Sequence, residues 1–115
     1  MKLFKPEKNR KNIEQFSHSI PEFDHPIRFM DIGCGDGALT CRLLAHLMES
    51  EKVPEIGEVL LIDPSPAMIS MATEKVRGAF PDVIISTDNA RIQDCSLSFD
   101  RHYDIAMSSL AYHHM

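Results

Sequence analysis

The chain has 115 residues, 43% of them hydrophobic and 25% charged, and its formal net charge is −5. These values are typical of one globular domain and too apolar for a disordered chain. No apolar run approaches the ~18–20 residues of a membrane span, and the basic start is not followed by the apolar core of a signal peptide. Three cysteines without metal-ligand spacing argue against a disulfide scaffold and a zinc site. We therefore predict a cytoplasmic protein without membrane contact.

Residues 1–26 are predicted to form a basic tail followed by a short helix. Five cations lie in the first twelve residues. They predict a solvated tail rather than a nucleic-acid surface, which would need more charge and interleaved aromatic rings. Apolar residues recur at helical spacing between Lys8 and Ile20, which predicts a short amphipathic helix there.

Residues 27–115 are predicted to form one domain in which strands alternate with helices. The predicted strands are Ile27–Ile32, Glu58–Ile62, Val83–Ser86 and Tyr103–Ser108. The predicted helices are Ala38–Glu49 and a second one from Pro66 to about Val76, and Val53–Gly57 is predicted as a loop. Such alternation is typical of parallel strands joined by right-handed crossovers. The predicted fold class is therefore α/β.

A glycine-rich loop, Gly33–Gly37, follows the first of these strands. Glycines let the chain turn sharply and let a ligand approach the backbone, and the next helix offers unpaired N–H groups at its start. The loop fits the dinucleotide pattern GxGxx(G/A), which is a weak signal. Asp31 and Asp36 argue against a diphosphate, because like charges repel strongly in a tight, partly desolvated space. A ligand with a cationic amino group is favoured instead.

Further acids follow the next two strands. Asp63 can accept hydrogen bonds from both hydroxyls of a ribose. Asp88 can accept from an exocyclic amine such as N6 of adenine, with the backbone N–H of Asn89 or Ala90 directed at a ring nitrogen. Each acid could instead be a helix N-cap or a turn residue. Three acids at three successive strand ends favour a single shared ligand.

Four segments resemble, in order and at similar spacing, the motifs of class I S-adenosylmethionine-dependent methyltransferases. They are FMDIGCGDGALT (Phe29–Thr40), LLIDPSPAMI (Leu60–Ile69), TDNA (Thr87–Ala90) and FDRHYDIAMSSLAYHH (Phe99–His114). The resemblance implies a Rossmann-like parallel sheet of strand order 3-2-1-4 with helices on both faces. It also implies S-adenosylmethionine as the cofactor and methyl transfer by in-line displacement. Holding donor and acceptor in line then supplies most of the catalysis.

The resemblance also implies roles for individual residues. Those implied for the methionine end of the cofactor are Asp31, Gly33, Cys34 and Gly35. Asp63 would bind the ribose, and Pro64 or Met68 would lie against the adenine. Ser108, with the two residues after it, would border the reactive methyl group.

Two further residues are candidates for chemistry. His113 could be a general base because histidine titrates near neutral pH, although a loop histidine without a catalytic task is the preferred interpretation. Cys34 lies at a helix start, where a thiol pKa can be lowered, but a small residue that lines a tight turn is again preferred. No metal ligands are predicted.

The expected partner is a small-molecule methyl acceptor. The fourth-strand segment SSLAYHH lacks the Asn/Asp-Pro-Pro-Tyr-like tetrapeptide that, in the family, is typical of enzymes that methylate bases or glutamine amides. Two alternatives stay open. One is an NAD-dependent Rossmann oxidoreductase, and the other is a module that binds a cofactor without catalysing a reaction.

The fold of the family normally continues beyond the fourth strand, with a fifth strand and an antiparallel pair. No residue follows Met115, so we expect a truncated product or a fragment that lacks the usual C-terminal strands. Its fourth strand is then expected to be an exposed apolar edge, which is an aggregation hazard. For the isolated chain we expect marginal stability, self-association through this strand and no catalysis.

Overall fold

The computed structural model describes residues 2–4, 11–89 and 103–108. The strands of these residues are β1 (Lys2–Phe4), β2 (Ile27–Ile32), β3 (Ile56–Ile62), β4 (Ile84–Asp88) and β5 (Ile105–Ser108). The helices are α1 (Lys11–Ser19), α2 (Ala38–Glu49) and α3 (Pro66–Ala79). None of these three helices is long and apolar enough to cross a membrane.

The described strands form one parallel sheet in the order β4-β3-β2-β5-β1. Strands β2 to β5 are the four predicted strands, so the predicted order 3-2-1-4 is confirmed. The chain moves in one direction from β2 through β3 to β4, and β5 then pairs with the opposite side of β2. Open α/β sheets bind ligands at the carboxyl ends of the strands where the direction of winding reverses. The fold therefore places the site at the ends of β2 and β5.

Strand β1 corrects the prediction for the first residues of the chain and for the sheet edge. Its pairs with β5 are Lys2 with Ile105, Leu3 with Ala106 and Phe4 with Met107. Strand β5 consequently lies between β2 and β1, and the prediction that it is an exposed edge is wrong. Two apolar residues between lysines are too short a pattern to predict a strand. Self-association through β5 loses its structural basis.

The three described helices pack on one face of the sheet. Two successive crossovers that move in the same direction place their helices on the same side when both are right-handed. The helical residues that are fully buried against this face include Leu43, Leu44 and Leu47 on α2, and Ala72 and Val76 on α3. Alternate sheet residues complete this core, among them Phe29, Val59, Leu61 and Ile105. Met48, although apolar and next to the buried Leu47, is 50% exposed.

The opposite face of the sheet is also apolar and buried. Its cluster consists of Met30, Ile32, Leu60, Ile62, Tyr103 and Ala106. None of the three described helices contributes to this cluster. The prediction that helices cover both faces stays a prediction for the residues outside the described part of the chain.

Several element boundaries differ from the prediction by a few residues. Strand β3 begins at Ile56 because Gly57 lies inside the strand, where the register with β2 shifts. A Cβ on Gly57 would lie 3.1 Å from Cβ of Pro26, so glycine marks a close approach at a bulge rather than a loop. Helix α3 continues through Gly78, and β5 begins at Ile105 rather than at Tyr103.

Candidate functional site

Four strands end in register at the carboxyl edge of the sheet. The residues paired across this line are Asp88, Ile62, Ile32 and Ser108. Gly33 and Asp63 follow directly after β2 and β3. The predicted site residues of four separate segments are therefore brought to one edge, as the sequence predicts.

Asp63 fastens the glycine loop to the end of β3. Its Oδ2 accepts a hydrogen bond from the Gly35 N–H at 3.0 Å, and its Oδ1 accepts one from the Ser65 N–H at 2.9 Å. The Ile62 carbonyl accepts two more from the loop, from the N–H groups of Gly33 at 2.8 Å and Cys34 at 3.0 Å. Asp63 is thus a turn residue. Each carboxylate oxygen has two acceptor sites, so capacity for a ligand hydroxyl remains on both.

Asp63 is also joined to the end of β4. Its N–H donates to the Asp88 carbonyl at 3.2 Å, and its own carbonyl accepts from the side-chain amide of Asn89 at 2.9 Å. The Asn89 side chain therefore has a structural task that the sequence analysis did not predict. The predicted contact of its backbone N–H with a ring nitrogen stays a prediction.

Asp31 lies beneath the glycine loop with 0% of its surface exposed. Its Oδ2 accepts a hydrogen bond from the Thr40 hydroxyl on α2, whereas its Oδ1 has no hydrogen-bond partner among the described residues. Burial raises the pKa of Asp31 to about 7; the Thr40 hydrogen bond opposes this shift and the nearby charge of Asp63 adds to it. Because burial disfavours the charged form of Asp31, this site favours a ligand that brings a positive charge.

Thr40 is the site residue that the sequence analysis missed. It is fully buried on α2, and it shares the inward face with Leu43, Leu44 and Leu47 at positions i+3, i+4 and i+7. A polar residue inside such an apolar stripe needs a buried hydrogen-bond partner. That pattern was the available signal, and Asp31 is the partner.

Asp36 makes a different contribution from the predicted one. Its Oδ1 accepts from the Ala38 N–H at 3.0 Å, and its Oδ2 lies 3.1 Å from Lys75 Nζ on α3. These two contacts lower its pKa. Because Asp36 binds the first N–H of α2 and pairs with a cation, the charge that would repel a diphosphate comes instead from Asp63 and from the ionised form of Asp31.

Gly35 and Gly37 both have left-handed backbone conformations, with φ of 57° and 86°, but they serve different purposes. A Cβ on Gly37 would lie 2.7 Å from Cα of Ala72, so this glycine lets the loop pack closely on α3. A Cβ on Gly35 would meet no described atom within 4 Å. The space beside Gly35 is therefore available to a ligand.

The thiol of Cys34 is buried in the loop. Burial raises its pKa to about 12, and the charges of Asp31 and Asp63 act in the same direction. The start of α2 therefore does not activate this cysteine. The structure favours the interpretation of Cys34 as a small residue that lines the turn.

The remaining predicted residues lie around this edge. Ser65 caps α3, since its hydroxyl accepts from the Met68 N–H at 3.3 Å. Pro64 is exposed, whereas Met68 and Ser108 are half-buried. His113 and Ala90 lie outside the described residues.

The acids and the loop fit a ligand that joins a cationic amino group to a nucleoside. The Oδ1 atom of Asp31, which has no described hydrogen-bond partner, favours a positively charged group. The space beside Gly35 lets a ligand approach the backbone, and the Asp63 carboxylate can accept further hydrogen bonds at the next strand end. Among the described residues, no group of three His, Cys, Asp or Glu side chains is placed to hold a metal ion.

Comparisons with known proteins agree with this fit. A family model described as a methyltransferase domain matches residues 30–115, whereas no curated protein matches the chain significantly. An S-adenosylmethionine-dependent methyltransferase structure from Mesorhizobium loti is 31% identical over 82% of this chain and 37% of its own, with a TM-score of 0.54.

Two other solved structures support the fold. A proposed S-adenosylmethionine-dependent methyltransferase from Listeria monocytogenes is 24% identical over 90% of this chain and 39% of its own, with a TM-score of 0.57. A proposed methyltransferase from Thermoplasma acidophilum is 13% identical over 92% of this chain and 44% of its own, also with a TM-score of 0.57. The chain thus spans less than half of each of these structures. Because the family model matches most of its residues, the chain belongs to the class I S-adenosylmethionine-dependent methyltransferases.

Proposed function

We propose that this chain binds S-adenosylmethionine at the carboxyl edge of the sheet and forms the cofactor-binding part of an enzyme that methylates a small molecule. The observation that carries this proposal is the buried Asp31 beneath the glycine loop, whose Oδ1 has no partner among the described residues. The cationic amino acid end of the cofactor supplies the missing charge. A diphosphate would add negative charge beside Asp63 and could not balance an ionised Asp31, which disfavours the NAD-dependent alternative.

In this proposal, a separate set of residues binds each part of the cofactor. The methionine end is assigned to Asp31 and to the backbone of Gly33, Cys34 and Gly35. The ribose is assigned to Asp63, whose carboxylate keeps acceptor sites after binding two backbone N–H groups. The adenine is assigned to Pro64, Met68, Asp88 and Asn89, and the region of the methyl group to Ser108.

The catalytic contribution of these residues is positioning. When bound, S-adenosylmethionine supplies a methyl group activated by a sulfonium. Holding donor and acceptor in line contributes up to ~7–11 kcal/mol in favourable cases, and a rigid loop tied by Asp63 suits that task. No covalent nucleophile is needed, and the raised pKa of Cys34 is not that of one.

The acceptor is proposed from the fourth-strand segment after β5. Its SSLAYHH sequence lacks the tetrapeptide of base and glutamine methylating enzymes, which favours a small molecule over a nucleic acid. His113 stays a candidate general base, and a cytoplasmic location stays a prediction. A module that binds the cofactor without catalysis is the remaining alternative, and a methylation assay on the longest natural form of the chain distinguishes it.

Calorimetry of the 115-residue chain with S-adenosylhomocysteine and with NAD tests the cofactor. We expect binding of S-adenosylhomocysteine alone, and binding of NAD alone would overturn the proposal. The variant Asp63→Ala is expected to weaken S-adenosylhomocysteine binding at least about tenfold, because it removes the ribose acceptor and the tie to Gly35. Asp82→Ala, at an exposed acid before β4, is the matched control and leaves the affinity unchanged.

A further inference from the structure

Asp31 and Thr40 form a fully buried polar pair beneath the glycine loop, and both have 0% of their surface exposed. The pair joins the end of β2 to the first turn of α2 through one hydrogen bond from the Thr40 hydroxyl to Oδ2 of Asp31. The other carboxyl oxygen, Oδ1, has no described partner. A carboxylate with one bare oxygen in a buried place is costly unless it is protonated or meets a positive charge.

Among the residues that the structure describes, the groups around this pair supply no positive charge. They are Thr40 and Cys41 on α2, Cys34 and Asp36 in the loop, Asp63 after β3, and Met107 as the register partner on β5. The cysteines have raised pKa values and are neutral, and Asp63 adds a second negative charge. Lys75 is the nearby described cation, and it is paired with Asp36.

We propose that Asp31 carries a proton in the ligand-free site, that the positively charged amino group of the ligand displaces this proton on binding, and that Thr40 is the positioning residue for the exchange. This inference rests on the proposed function and deepens it. The O–H bond at Oδ1 breaks, the proton leaves to the buffer, and the ammonium group of the ligand balances the carboxylate that remains. The site thereby selects ligands by charge.

Direct contact between the ammonium group and Oδ1 is not required. A unit positive charge roughly 6 Å away, at the effective dielectric of a protein site, lowers such a pKa by about two units. The Thr40 hydroxyl assists because a hydrogen bond to a carboxylate favours its charged form. Without that hydroxyl both carboxyl oxygens lack a partner, and the acid retains its proton to higher pH.

Calorimetry of the 115-residue chain with S-adenosylhomocysteine, from pH 5.5 to 8.5 in two buffers of different ionisation enthalpy, tests the exchange. We expect release of close to one proton near pH 6 and almost none at pH 8.5. The affinity falls up to about tenfold per pH unit below pH 7 and is constant above it. 5′-Methylthioadenosine, which has the same nucleoside but no amino acid end, is the control and binds with no proton release.

Variants of Thr40 separate positioning from a purely structural role. Thr40→Val is expected to move the pH profile of S-adenosylhomocysteine affinity upward by about one unit, and Thr40→Ser, which keeps the hydroxyl, restores it. A structural role alone would lower the affinity equally at every pH. If Thr40→Val does not fold, Asp31→Asn serves in its place and abolishes the proton release.

The outcomes distinguish this inference from the proposed function. Binding of S-adenosylhomocysteine with flat affinity and no proton release overturns the exchange and leaves the proposed function standing. Proton release with 5′-methylthioadenosine as well would show that the release does not depend on the amino acid end of the ligand, and it also overturns the exchange. Absence of any S-adenosylhomocysteine binding overturns both.

Discussion

The two ends of the sheet hold their acids in opposite ways. At the amino end, Asp104 accepts a hydrogen bond from the Arg28 N–H at 2.9 Å and lies 3.1 Å from Nε2 of His25. At the carboxyl end, Asp31 and Asp63 have no Lys, Arg or His partner among the described residues. Asp104 is therefore paired with a basic side chain where the strands begin, whereas Asp31 and Asp63 have no described basic partner where the strands end.

Side-chain contacts at the amino end of the sheet connect the strands, whereas Asp31 and Asp63 at the carboxyl end are suited to bind a ligand. The Arg28 guanidinium lies 5.2 Å from the ring centroid of Tyr103 and 3.6 Å from Glu58, so one side chain links the starts of β2, β3 and β5. Asp31 lowers the stability of the empty chain at neutral pH, because burial of a carboxyl oxygen without a described partner disfavours its charged form. The comparison shows that acids with basic partners join the strands at the amino end, whereas two acids without a described basic partner are placed for a ligand at the carboxyl end.

The largest change in stability is expected from Gly37→Ala at the carboxyl end. The new Cβ would lie 2.7 Å from Cα of Ala72, and the left-handed backbone adds strain, which together lower the free energy of unfolding by about 3–5 kcal/mol. Thermal unfolding followed by circular dichroism measures the change. Gly35→Ala is the control, with strain alone and a loss of about 1–2 kcal/mol. Equal losses for the two variants would show that the packing on α3 is not limiting.

At the amino end, Asp104→Ala is expected to lower the free energy of unfolding by about 1–3 kcal/mol, because the Arg28 N–H loses its acceptor. The affinity for S-adenosylhomocysteine is expected to stay unchanged, since the substitution lies at the end of the sheet away from the site. Denaturant unfolding and calorimetry measure the two quantities. A loss of affinity comparable to that of Asp63→Ala would contradict the separation of the two ends.

Asp31→Asn is expected to stabilise the empty chain by roughly 1–2 kcal/mol at pH 8 while it weakens binding. The pKa of Asp31 is raised from 3.8 to about 7 in the folded chain. The free energy of unfolding that depends on the Asp31 carboxyl group is therefore largest below pH 4, and it decreases as the pH rises to about 7. The gain from the substitution should be larger at pH 8 than at pH 5 in thermal melts. An equal decrease of the melting temperature at both pH values would contradict this expectation.

The smallest expected effect is the pH dependence from His25. Hydrogen bonds to Asp24 and Asp104 raise the pKa of His25 above 6.5, so its stabilising contribution is complete below pH 6.5 and is lost as the pH rises through the folded pKa. His25→Gln, made in the Asp31→Asn background, should remove the small fall in melting temperature between pH 6 and 8. An NMR titration of His25 should give a pKa that Asp24→Asn lowers.

The elements that the sequence predicts well are those whose apolar pattern is local. Strands β2 to β5 each carry an apolar run of strand length, and helices α2 and α3 carry a helical apolar period, so these elements are found within about three residues. Strand β1 has only three residues, and its existence depends on a partner far along the chain. No local pattern could indicate it.

The residues of the candidate site also divide into those that local sequence predicts and those that depend on distant parts of the chain. The acids at the strand ends could be placed because parallel strands end at one edge of a sheet. The ion pair between Asp36 and Lys75 depends on how α2 packs against α3. This packing could not be predicted from the local sequence. Thr40 was detectable from its position in an apolar stripe, but only if a buried partner had been sought for it.

The pairing of β1 with β5 sets an order in which the protein can assemble during its synthesis. Lys2 leaves the ribosome early, yet its partner Ile105 is made about a hundred residues later. Strands β2, β3 and β4 can pair as they emerge, because each crossover joins neighbours in the sheet. Strand β5 must then add beside β2, and only afterwards can β1 close the edge. Such long-range pairing is slow, so the nascent β1 segment stays without its partner strand until β5 has been made.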